Sequence, residues 1–180
     1  DRLKLSNYLE KYMKTIYQSL LLFMITFCYS PLIESSHHAD LLHEAVNNPN
    51  RNIAYSDRDK YRNPYETLSF FRIKPSMNVL ELSAGGGWYS EILAPYLFAS
   101  GQLSVTHHNP DAGGYYKRSR NLFNEKVSSN PLLNGIEIIT ADVPPNKEFT
   151  EPETQDLVLT FRNLHNWLGP NAMKTVMQEA

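Results

Sequence analysis

Cysteine is all but missing from this chain: its 180 residues hold one, Cys28. An internal disulfide framework is thereby excluded, as is a zinc site built from several cysteines. An excess of charge of either sign is missing as well. The formal net charge is −2, which gives no bulk attraction to nucleic acid. Lys117, Arg118 and Arg120 cluster locally, and they read as the solvated basic face of a helix. No apolar run reaches the roughly 20 residues that a membrane-spanning helix needs. His107 and His108 are adjacent in an apparent strand, so their side chains leave opposite faces, and no metal site is expected there or elsewhere. What is left is an ordinary globular composition, 42% apolar and 20% charged, long enough for one domain.

The first 36 residues differ in character from the rest. Lys14 precedes an apolar stretch over residues 20–28, the pattern of a secretory leader with a basic start and a short core. On this reading Met13 is the start, residues 1–12 are an upstream extension, and the folded domain covers residues 37–180. Cleavage after Ser30 competes with cleavage near Ser35 or Ser36. An N-terminal helix, amphipathic or buried, is the other reading of the segment. A cleaved leader implies a periplasmic or secreted protein, with membrane contact through the leader only; an uncleaved one implies a cytoplasmic protein.

From residue 39 onward, short apolar runs alternate with helical patterns. Strands are expected at about 78–82, 102–106, 136–140 and 156–161. Helices are expected at 39–46, 64–71, 88–97 and 115–127, with a last one opening at Pro170. Apolar strands separated by helices imply a parallel sheet covered on both faces. The richest stretch is Asn78-Val-Leu-Glu-Leu-Ser-Ala-Gly-Gly-Gly-Trp-Tyr-Ser90. It is a strand carrying an acid, then a glycine cluster, then a helix start. That order makes a cradle for a nucleotide-type cofactor, because glycines admit positive φ and let a ligand approach the backbone.

With these residues in place, the chain from about Tyr55 onward resembles class I S-adenosylmethionine (SAM)-dependent methyltransferases. More narrowly, it resembles a bacterial group of predicted methyltransferases with secretory leaders. The resemblance is carried by Asp57-Arg-Asp-Lys-Tyr-Arg-Asn-Pro64, Gly85-Gly-Gly-Trp-Tyr89, Glu91-Ile-Leu-Ala-Pro-Tyr96, Tyr115-Tyr-Lys-Arg-Ser-Arg120 and Asp156-Leu-Val-Leu-Thr-Phe-Arg-Asn-Leu-His-Asn-Trp167. It implies an α/β Rossmann-like fold with strand order 3-2-1-4-5-7-6. About four of those seven strands are visible, so the reading expects a fragment, marginally stable alone, whose fourth strand leaves an unpaired edge and an uncovered apolar face.

The resemblance also implies a cofactor, SAM, and places it. Glu81 and Gly85, Gly86 and Gly87 would meet its amino-acid end, with Ser83 where the wider superfamily has its first glycine. Asn109 or Asp111 would hold the ribose, since the usual acid after the second strand is missing. Asp142 would meet the adenine. His165 is the candidate base, with a pKa that ordinarily lies near neutrality, and Arg162 the candidate anchor for an anionic acceptor. Trp167 would wall the pocket. Plainer readings stand beside these: a loop hydrogen bond for His165, an ion pair for Arg162, the core for Trp167. Glu81, His108, Asp142 and Arg162 are all expected at the carboxyl ends of strands, where open α/β sheets bind ligands. The implied function is methyl transfer to an unidentified small-molecule or protein acceptor. Two alternatives are a secreted, non-catalytic SAM-fold binding protein and an NAD(P)-dependent oxidoreductase; the latter lacks the acid its fingerprint expects about 20 residues after the glycines.

Overall fold

The computed structural model describes residues 12–18, 37–146, 148–151, 153–168 and 172–179. Residues 12–18 are a short exposed helix. The apolar stretch at 20–28, the cleavage positions and Pro170 fall outside the described residues. No helix among the described residues is long and apolar enough to cross a membrane.

Residues 41–180 form a compact unit. Its centre is a four-stranded sheet of β1 (Asn78–Leu82), β2 (Gln102–His108), β3 (Glu137–Ala141) and β4 (Leu157–Thr160). All neighbours run parallel, in the order β3-β2-β1-β4. That is the order expected for the first four strands. The helices are α1 (residues 37–46), α2 (Ile53–Ser56), α3 (Asp59–Arg62), α4 (Pro64–Phe70), α5 (Ser90–Leu97), α6 (Gly114–Ser129), α7 (Leu164–Leu168) and α8 (Met173–Gln178).

Successive side chains of a strand leave opposite faces, so a central parallel strand must be apolar on both. β1 obeys this. Val79 joins a cluster with Leu68, Ile92, Leu93, Leu97, Leu103 and Val105, whereas Leu80 and Leu82 join Phe149, Trp167, Ala172 and Val176 on the other face. The apolar face expected to lie bare beside β4 is therefore covered, by Trp167 and the start of α8. Trp167 is 2% exposed and belongs to this core, which settles it as packing and not as a pocket wall.

Several boundaries shift. β2 runs on to His108, because Asn109 N–H still donates to Ala141 O and keeps the strand paired beyond Thr106. Trp88 and Tyr89 stay in the turn, and α5 begins at Ser90. The polar run 51–63 folds into two single-turn helices. The first is capped by Asn52, whose side chain accepts from Ala54 N–H.

What locks these pieces together is Glu91. It is fully buried, 0% exposed. The Lys126 ammonium on α6 lies 2.7 Å from its Oε1. The Asn52 N–H donates to its Oε2 at 2.9 Å, and Asn130 Nδ2 donates to Oε1 at 3.4 Å. One carboxylate thus joins the N-terminal segment, α5 and the end of α6. Removing one member of a buried pair leaves the other charge without compensation, which costs about 3 kcal/mol or more. Glu91→Ala is accordingly expected to lower the unfolding free energy by about that amount in urea titrations followed by circular dichroism, and a loss under roughly 1 kcal/mol would contradict this role.

Candidate functional site

The glycine turn sits at the carboxyl end of β1, and its shape follows from its sequence. Ser83 takes φ 55, Gly85 φ 60 and Gly87 φ 76. Ser83 holds a conformation suited to glycine, the residue the superfamily tends to place there. It is kept in place by its N–H, which donates to Thr106 Oγ1 at 2.7 Å, and by Asn163 Nδ2, which donates to its carbonyl at 3.1 Å. Asn163 Nδ2 also reaches Leu82 O at 3.2 Å, so the turn after β4 is tied to the turn after β1.

The Gly86 carbonyl is engaged by two side chains. It accepts from Tyr55 Oη and from Lys126 Nζ, each at 2.8 Å. A Cβ on Gly86 would lie 2.6 Å from the Tyr55 hydroxyl, so a larger residue there requires the Tyr55 side chain to shift. The Gly85 and Gly86 N–H groups, by contrast, donate to no acceptor among the described residues. The turn therefore presents free backbone donors, the polarity that receives a carboxylate or phosphate.

Beneath the turn lies Glu81. Because it alternates with Leu80 and Leu82, it shares the face of Val79 and points toward the start of α5. Ser90 Oγ donates to its Oε2 at 2.6 Å. Burial pushes the carboxyl up to about 7, while the Ser90 hydrogen bond and the Lys126 charge pull the other way. His107, on β2, stacks on Phe123 at 4.6 Å, and its Nε2–H donates to Gly85 O at 3.0 Å. Burial lowers its pKa to about 4, so the ring is neutral, and its buried Nδ1 acceptor has no partner.

The sheet edge gathers the expected residues unevenly. His108 ends β2, with Tyr116 4.9 Å from its ring centroid, and burial lowers its pKa. Asp142 directly follows β3; its two oxygens accept from Asn109 Nδ2 and Asn146 Nδ2, each at 2.9 Å. Asn109 also caps the turn over Pro110–Ala112 by accepting from Asp111 N–H, so both ends of its amide are engaged. Asp111 is exposed. Arg162 is exposed at φ 63, beyond β4, and makes no ion pair among the described residues. His165 is exposed on α7, with no hydrogen bond there to the strand ends among the described residues. No cluster of metal ligands occurs among the described residues.

The roles of Tyr55, Ser90, Lys126 and Asn163 are additions that sequence reasoning did not reach. Ser90 and Lys126 act across contacts that close only in three dimensions. Asn163 carried a weak signal, an Asn just ahead of a short helix, a position where its side chain bonds nearby backbone.

No protein-family profile matches the chain, and no curated protein sequence matches it. Solved structures do. A SAM-dependent methyltransferase from Aquifex aeolicus superposes with a TM-score of 0.54 at 21% identity, covering 68% of this chain and 61% of that one. A methyltransferase from Podospora anserina bound to S-adenosylhomocysteine gives 0.47 at 15% identity, covering 78% of this chain and 56% of that one. The chain thus spans about three fifths of the length of these structures. The likeness to the Aquifex structure, with the strand order above, gives this chain the Rossmann-like class I methyltransferase fold.

The Glu81 carboxyl makes a pH prediction. Its folded pKa is raised from 4.5 to about 7. A raised pKa means the folded state favours the proton, so the stabilisation is full below the unfolded value of 4.5 and is lost as pH rises through 7. Glu81→Gln has no such loss. The variant should match the wild type near pH 4.5 and exceed it at pH 8 by roughly 3 kcal/mol in urea titrations. Parallel pH profiles for the two proteins would contradict the buried, protonated Glu81.

Proposed function

We propose that this chain is a SAM-dependent methyltransferase domain, binding S-adenosylmethionine across the carboxyl edge of its sheet and transferring the methyl group to an acceptor. The observation that carries this reading is Glu81 buried beneath a glycine turn that has two free N–H donors. An amino acid end group carries an ammonium and a carboxylate. Glu81, whose carboxyl holds its proton up to about 7, would ionise beside the first, and Gly85 and Gly86 offer N–H groups for the second. The unpartnered Nδ1 of His107 is a buried acceptor, suited to a hydroxyl donor such as a ribose carries. The residues present therefore fit the cofactor.

When bound, the cofactor would supply an electrophilic methyl group on a sulfonium, ready for displacement by an acceptor lone pair. The protein's share is to position both partners in line. Glu81 neutralises positive charge at the pouch, and the Tyr55 and Lys126 bonds to Gly86 O hold the turn in the binding shape. Asn109 and Asn146 fix the Asp142 carboxylate at the end of β3 for the base. Arg162 borders the acceptor side, and His165 would take a proton only where the acceptor releases one.

An NAD(P)-dependent oxidoreductase is disfavoured by the same strand ends. The place of its ribose-binding acid holds His107, which is neutral and already bonded to Gly85 O. Calorimetric titration with S-adenosylhomocysteine and with NAD separates the readings. Uptake of the first alone is expected, weakened about ten-fold in Glu81→Gln, the cost of one charge-assisted contact. Uptake of NAD, or of neither compound, would refute the proposal.

A further inference from the structure

Arg62 lies over Trp88, directly after the glycine turn, within the field of Arg58 and Arg162, and none of the three has a carboxylate at ion-pair distance among the described residues. Arg58 precedes α3 and Arg62 ends it, while Arg162 follows β4. Arg62 lies over the Trp88 indole, 4.6 Å from the ring centroid, and its Nε is buried without a hydrogen-bond partner. Trp88 is itself fixed by its Nε1–H, which donates to Tyr55 O at 2.9 Å. From the other side, Phe161 stacks on Tyr89 at 3.5 Å and 15°. That stack pins the residue before Arg162 to the glycine turn.

Asp59, on the same helix as Arg62, is already engaged. Both oxygens of Asp59 accept from Arg51, at 2.6 and 3.1 Å. Arg58, Arg62 and Arg162 have no ion-pair partner among the described residues. Burial lowers the Arg62 pKa first, and the charges of Arg58 and Arg162 lower it further, so Arg62 lies within the field of both. Trp88 directly follows Gly87, so the guanidinium over its ring lies next to the pouch. Like charges held together are unfavourable until an anion sits among them. Planar guanidinium forks match the two oxygens of a carboxylate or phosphate.

Resting on the methyltransferase reading, we propose that Arg58, Arg62 and Arg162 form the acceptor site and hold the oxyanion of a small acidic molecule, a carboxylate or a phosphate. Its apolar body lies against Phe161 and Phe71, whose rings are 6.5 Å apart and edge to face. Phe71 is 40% exposed, an open aromatic surface in the right place. The anion is the anchor, and the methylated atom lies elsewhere on the acceptor. A polyanion is the poorer match. It demands an extended basic stripe, whereas here one of three charges is recessed over an indole and the chain carries −2 overall.

The test is calorimetry on the full chain at low salt, with S-adenosylhomocysteine present, titrating benzoate and separately inorganic phosphate. At least one should bind saturably. The double variant Arg58→Gln/Arg162→Gln, altered only at exposed positions, should weaken that binding by about ten-fold or more. Its affinity for S-adenosylhomocysteine should stay unchanged. No saturable anion binding by the wild type, or equal binding by the double variant, overturns the proposal. So does arginine-dependent capture of an oligonucleotide without binding of either small anion. Failure of S-adenosylhomocysteine itself to bind shows up in its own titration, and it removes the methyltransferase reading rather than the anion site.

Discussion

The buried Glu91 carboxylate is the contact on which the remaining architecture depends. It holds Lys126 at 2.7 Å, and Lys126 in turn holds the Gly86 carbonyl and lies 4.0 Å from the centre of the Tyr55 ring. Tyr55 closes the circuit by donating to the same carbonyl. A desolvated ion pair contributes little net stability compared with an apolar replacement, but it fixes geometry because each charge needs its partner. Here the geometry fixed is that of the glycine turn. The turn's Gly86 carbonyl is drawn toward α2 and α6, while the Gly85 and Gly86 N–H groups donate to no acceptor among the described residues.

Around that turn, charge is sorted by position. Glu81 lies below it, buried, with its proton retained to near neutrality. Arg62 lies over Trp88 just after the turn, within the field of Arg58 and of Arg162, which follows β4. Asp142 lies beyond β3, held by two asparagine amides. A cofactor with a cationic amine and a hydroxylated sugar and an acceptor with an anionic group would find complementary charge in separate places along one edge. The parallel sheet makes this possible, since every strand delivers its carboxyl end to the same side.

Much of this was legible in the sequence, for reasons that are local. The four strands follow from apolar runs separated by helices, their order from the resemblance to methyltransferases, and the turn at residues 83–87 from its glycines. Placement of Glu81, His108, Asp142 and Arg162 at strand ends needs no more than strand boundaries good to a residue or two. Trp167 was legible only as a choice between pocket wall and core, and packing against Leu80 and Leu82 decided it. The covered face beside β4 was misread because α7 is a five-residue helix with too short a pattern to recognise. The hub at Glu91 was illegible for a different reason. Its partners Asn52, Lys126 and Asn130 lie 35 to 39 positions away, and no periodicity reports such a meeting. Asn109, a candidate for the ribose, proved to have both ends of its amide engaged by Asp142 and Asp111.

The central claim is that the pouch over Glu81 receives the amino acid end of an S-adenosyl nucleoside. A crystal structure of the protein with S-adenosylhomocysteine tests it most directly. The account predicts the ligand's amine beside Glu81, its carboxylate on the N–H groups of Gly85 and Gly86, and its ribose toward His107. Ligand density lying away from β1, or none at saturating concentration, would contradict it.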